Sequence, residues 1–101
     1  MIYHANSEER GRLIAGLRQL ADFLGQNPDV PTPRHADVLV FPAHGTNVEM
    51  FAEIDVIAEQ IGATASDADS LAGHYSTDRD FGPVHYRAVA IPNRNDENNE
   101  G

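Results

Sequence analysis

Two capping boxes, each followed by an apolar stripe and a glycine stop, constrain this chain more than anything else in it. Asn6 stands three residues before Glu9, and Thr46 three before Glu49. In that arrangement the cap side chain takes a free amide of the first helical turn, and the glutamate reaches back to the cap's own N–H. Behind the first box Leu13, Ile14, Leu17, Leu20, Ala21 and Leu24 recur at helical spacing, with Arg12, Arg18, Gln19 and Asp22 turned away from them. Gly25 follows as a left-handed stop, which predicts a helix over residues 7–24. Behind the second box Met50, Phe51, Ile54, Ile57, Ala58 and Ile61 form one stripe, Ala52, Glu53, Asp55 and Glu59 lie opposite, and Gly62 ends it. The second helix is predicted over 47–61.

The remaining segments read as sheet and connectors. QNPDVPTPRH is proline-rich, and a proline has no amide donor with which to continue a helix. Residues 37–41 are a nearly unbroken apolar strand, the pattern of a strand covered on both faces or set between neighbours. ATASDADSLAG is a small-residue acidic loop that opens with a short edge strand. HYSTDRDFGPVHYRAVAI is a hairpin, with strands at 75–77 and 84–91 around the turn residues Asp80, Gly82 and Pro83. The order α-β-α-β-β predicts an α+β fold: two helices packed on one face of a small, mainly antiparallel three-stranded sheet. Residues 1–91 are expected to form a single domain. Residues 92–101, PNRNDENNEG, have no apolar residue after the proline and are expected to be a disordered acidic tail.

Composition excludes several functions. There is no cysteine, hence no disulfide framework, thiolate metal site or cysteine nucleophile. Sixteen acids against seven basic residues, all arginine, leave a net charge of -9. No basic residue falls between Arg34 and Arg79, so the cluster of cations that phosphate contacts require is missing there. Direct nucleic-acid binding is not expected. The first residues, MIYHANSEER, lack the pattern of a secretory signal, and no apolar run approaches the roughly 18 residues of a membrane span. A cytoplasmic protein is the expectation.

Five places in the sequence invite a functional reading. His44, Gly45 and Thr46 stand at a helix N-terminus, where free amides attract anions. One glycine and no lysine make a poor phosphate loop, and Thr46 is accounted for as a cap. His74 and His85 lie on the two hairpin strands, but residue 74 should face residue 88 or 89. That sets the pair about 10–13 Å apart along the ladder, whereas nitrogens sharing zinc lie about 2 Å from it. No metal and no cofactor are expected. Asp67-Ala68-Asp69 and Asp78-Arg79-Asp80 lack the later ligands of a calcium loop. His85 and Arg87 alternate on one face of the last strand with Asp78 across from His85. Together with His74 they are weak candidates for a small ligand-binding or hydrolase-like enzyme, and a cross-strand ion pair is the plainer reading.

The fifth candidate is the outer face of the second helix. There Glu49, Glu53, Asp55 and Glu59 surround Val48 and Val56, two valines the core stripe does not use. An acidic rim around exposed valines suits a basic protein partner, with the rim steering association and the valines supplying burial. The leading reading is therefore a non-enzymatic acidic accessory or regulatory module that binds a protein partner. Alternatives are the hairpin enzyme and a DNA-mimicking inhibitor, although the carboxylates are sparse for a phosphate track. A homodimer is a further possibility, because a sheet covered on one side leaves a face and an edge available.

The runs LIAGLRQLADFLGQNPDVPTP, VFPAHGT, AEIDVIAEQIG and GHYSTDRDFGPVHYRAVAIP resemble a group of small proteins from actinobacteria and their phages. The likeness covers most of residues 11–92. It implies a phage or mobile-element setting; no activity is attached to the group, so it assigns no functional residue.

Overall fold

Both capping boxes close as their spacing requires. In the computed structural model, described over residues 4–43, 45–67 and 73–92, the elements are α1 (Ser7–Gln26), β1 (Ala36–Val40), α2 (Asn47–Gln60), β2 (Tyr75–Phe81) and β3 (Val84–Ala90). At α1 the Glu9 amide donates to Asn6 Oδ1 at 2.8 Å and the Asn6 amide to Glu9 Oε1 at 3.0 Å. At α2 the Glu49 amide donates to Thr46 Oγ1 at 3.1 Å, and Thr46 N–H donates to Glu49 Oε1 at 2.8 Å. The expected disordered tail lies, apart from Pro92, outside the described residues, as do His44 and residues 68–72.

The chain divides into two compact units, Met1–Arg34 and His35–Gly101. The first holds α1. Its helix runs past Gly25, which stays helical, and ends at Asn27, whose side-chain amide donates to the Phe23 carbonyl at 2.8 Å. A side-chain amide that closes the last turn takes the place of the expected glycine cap. None of the residues of α1 is buried.

The second unit holds the sheet and α2. The sheet order is β1-β3-β2; β3 pairs antiparallel with β2 and parallel with β1. The sheet is therefore mixed, where a mainly antiparallel one was expected. The central position of β3 also corrects the reading of β1. That apolar strand lies at an edge, and Leu39 and Phe41 on and beside it are exposed. An unbroken apolar run does not distinguish a central strand from an edge strand, because position in the sheet is set by pairing between distant segments.

One sheet face meets α2, the one helix among this unit's described residues. Met50, Ile54 and Ile57 of α2 pack with Ala88 and Ala90 of β3, and Val40, Phe51, Ile61, Tyr75 and Tyr86 close the margins. The expected stripe of α2 is the stripe that is buried. Small residues at 88 and 90 let the helix approach the central strand, and the fully buried Ile54 fills the space they leave. Phe51 stacks on Tyr75 with ring centroids 4.9 Å apart. Thr77, also buried on this side, donates from Oγ1 to the Thr64 carbonyl at 3.1 Å.

The end of α2 is closed by Gly62 at φ 70. Gly62 N–H donates to Glu59 O at 3.2 Å and Ala63 N–H to Ala58 O at 2.8 Å, the bond pair of a Schellman stop. A Cβ on Gly62 would meet nothing within 4 Å, so a substitution there strains only the backbone. Gly62→Ala is expected to lower stability by about 1 kcal/mol, the cost of a left-handed alanine, as read from a thermal melt.

Candidate functional site

Pairing across the ladders sorts the polar residues of the sheet. Asp37 lies opposite His85 and Leu39 opposite Arg87 between β1 and β3. His85 lies opposite Asp80 and Arg87 opposite Asp78 between β3 and β2. Directly paired residues share a face, so Asp37, Leu39, Asp78, Asp80, His85 and Arg87 occupy one side of the sheet. The core residues Ala88 and Ala90 alternate to the other side, toward α2.

The hairpin register differs from the sequence expectation and changes the partner of His85. β2 continues through Phe81, which pairs with Val84, and the loop shrinks to Gly82 and Pro83. Gly82 has φ 61, the backbone that a two-residue hairpin loop needs at its first position. Asp-Arg-Asp is poor in strand-forming residues, yet the ladder to β3 holds it extended at the sheet's edge. Charged side chains suit an edge, because they discourage further strand pairing. Asp78 consequently faces Arg87, and the expected pairing of Asp78 with His85 is replaced by Asp80 with His85. Tyr75 faces Ala90, which puts His74 one position beyond the described ladder. His74 and His85 are then farther apart than the expected register placed them.

His85 Nδ1 and Asp80 Oδ1 are 2.5 Å apart. The hydrogen bond that His85 donates to the Asp80 carboxylate raises the His85 pKa above its ordinary 6.5; partial desolvation opposes this, and the charges of Asp80, Asp37 and Asp78 add to it. Because the folded value is the higher one, the pair's contribution to stability is complete below about pH 6.5 and is lost as pH rises through the folded pKa. In an NMR titration the His85 midpoint is expected to fall in Asp80→Asn. An unchanged midpoint would show that the carboxylate does not hold the imidazole in solution.

His35, just before β1, joins this cluster. One ligand atom each from His35, Asp37 and His85 lie within 4.8 Å of one another, and the two imidazole centroids are 6.1 Å apart at 54°. His35 and Asp37 flank Ala36, whose amide donates to the Pro83 carbonyl at 3.0 Å and ties the start of β1 to the hairpin loop. Arg87 lies two residues along β3 from His85; its Nε is buried with no hydrogen-bond partner among the described residues. Sequence reasoning singled out His85 and Arg87 but missed His35, Asp37 and Asp80. The alternation His35-Ala36-Asp37 was a visible signal. The parallel pairing that places it beside His85 was not.

The other candidates occupy separate places. On α2, Val48 is 70% and Val56 53% exposed. Glu49 and Asp55, among the surrounding acids, have work within the fold. Glu49 closes the capping box, and the Thr46 amide holds its carboxyl below the usual range. Asp55 accepts from the Tyr75 hydroxyl at 2.5 Å, and this bond raises the tyrosine pKa. Glu53 is half-buried and Glu59 exposed. At the anion candidate, Gly45 and Thr46 stand where the Glu49 carboxylate already occupies the helix N-terminus. His44 lies outside the described residues.

No family model matches the chain, and no match is found among curated proteins or solved structures. No helix among the described residues is long and apolar enough to cross a membrane.

Proposed function

We propose that this protein is a non-enzymatic association module whose partner is a second copy of itself, engaged through the apolar face of α1. The supporting observation is that no described residue of Met1–Arg34 covers that face, on which Leu13, Ile14, Leu17, Leu20 and Phe23 are exposed. In proteins most of a helix's stability comes from packing of its amphipathic face rather than from intrinsic propensity. This one also carries Gly11, Gly16 and Gly25, each costing about 1 kcal/mol relative to alanine. Its stability therefore has to come from burial of the stripe.

Charge favours a second copy over a basic partner. Through Arg34, four acids are matched by four arginines; the remaining twelve acids against three arginines hold the entire net charge of -9. The apolar helix is thus the neutral part of an acidic chain, and two copies meet there without strong repulsion. Leu13, Leu17, Leu20 and Leu24 follow the 4-3-4 spacing of a helix-pairing seam, widened by Ile14 and Phe23 into a stripe suited to a bundle. The acidic face of α2 is a weaker candidate for this role, since Glu49 and Asp55 are engaged within the fold.

The likeness to small actinobacterial and phage proteins belongs to the same proposal and suggests an accessory role in a mobile element. Light scattering across a concentration series tests the assignment. A mass that moves from one chain to two supports it, and a single-chain mass at every concentration overturns it.

A further inference from the structure

We propose that His35, Asp37 and His85 bind a divalent transition-metal ion on the sheet face where β1 pairs with β3. The donor set is two imidazoles and one carboxylate, which suits zinc and its first-row neighbours rather than calcium or magnesium, whose ligands are oxygens. Three different positions supply it: the connector before β1, β1 itself and β3. The parallel register brings Asp37 directly opposite His85, and His35 reaches the pair from two residues before Asp37.

Atoms that share a zinc ion stand about 2.0–2.2 Å from it. Donor atoms within 4.8 Å of one another thus need only a modest side-chain contraction to close on an ion. His35 and Asp37 are exposed, so their side chains turn without disturbing the core.

Asp80 supplies a second observation. A histidine that ligates a metal characteristically gives its other ring N–H to a carboxylate, which fixes the tautomer and the ring orientation. Asp80 sits at His85 Nδ1 in that role; in the tautomer that carries its proton on Nδ1, Nε2 offers its lone pair. Three protein ligands leave a coordination position open to water or a small anion. Arg87, two residues along β3, places a guanidinium on the same face as His85.

The test is titration of the full-length protein with zinc by calorimetry, and with cobalt(II) as a coloured probe. One ion per chain is expected, with no comparable response to calcium. His35→Ala and Asp37→Asn should each abolish the saturable signal, while Glu59→Gln on α2 should leave it intact. Asp80→Asn should weaken binding by about 10-fold or more, the usual effect of removing a carboxylate behind a ligating histidine. Circular dichroism of each variant reports whether the fold is retained. Absence of saturable zinc binding overturns the proposal. So does binding that persists unchanged in the folded His35→Ala and Asp37→Asn proteins, since the ion then sits on other side chains.

Discussion

Ile54→Ala is expected to cost about 2–5 kcal/mol, the range for truncating a fully buried large aliphatic side chain. Ile54 is fully buried, the largest side chain to be so among the described residues, and it stands between α2 and the central strand. Its neighbours there include Ala88 and Ala90, which have no longer side chain to swing into the space. The cavity therefore stays largely unfilled. Net stabilities of domains are of the order of 5–15 kcal/mol, so this single change removes a large share of what holds α2 on the sheet. Urea denaturation followed by circular dichroism measures it. Val56→Ala, at a half-exposed position on the outer side of α2, should shift stability by no more than about 0.5 kcal/mol. If Ile54→Ala also stayed within that limit, the core would have been placed wrongly.

The double variant Leu17→Glu with Leu20→Glu is expected to convert the proposed dimer to monomer. Each leucine is about half exposed in the single chain, so about half of the 1.5–3 kcal/mol for burying such a side chain is available to association. Two positions in two chains give about 3 kcal/mol or more, a dissociation constant raised roughly a hundredfold. Four added carboxylates in the interface act in the same direction. A matching pair, Glu53→Gln with Glu59→Gln on α2, should leave the dimer unchanged. Light scattering at equal concentrations reads both. Loss of the dimer in the α2 pair alone would move the interface to the acidic face of α2.

Local features carried most of what was legible in the sequence. Asn6 and Glu9, Thr46 and Glu49, and the apolar spacing behind each lie within a few residues of one another, so helix starts and the buried stripe of α2 followed from nearest-neighbour chemistry. The C-terminus of α2 was legible for the same reason, since Gly62 takes the left-handed conformation its position requires. Gly25 misled because Asn27 offers a competing cap two residues later. The hairpin misled because Asp78, Arg79 and Asp80 have poor strand propensity, and a ladder with β3 outweighs propensity at an edge. That error moved the carboxylate partner of His85 from Asp80 to Asp78.

The sequence by itself determined where α1 and α2 begin, which face of α2 is apolar, the order of five elements and the acidity of the chain. Each of these depends on side chains close in sequence or on composition. Only the tertiary structure decided that β3 is central, that β1 runs parallel to it, that His35 and Asp37 meet His85, and that His85 meets Asp80. Those facts depend on pairing between segments nearly fifty residues apart along the chain, and a ladder hydrogen bond between backbones leaves no mark on the residue types that make it.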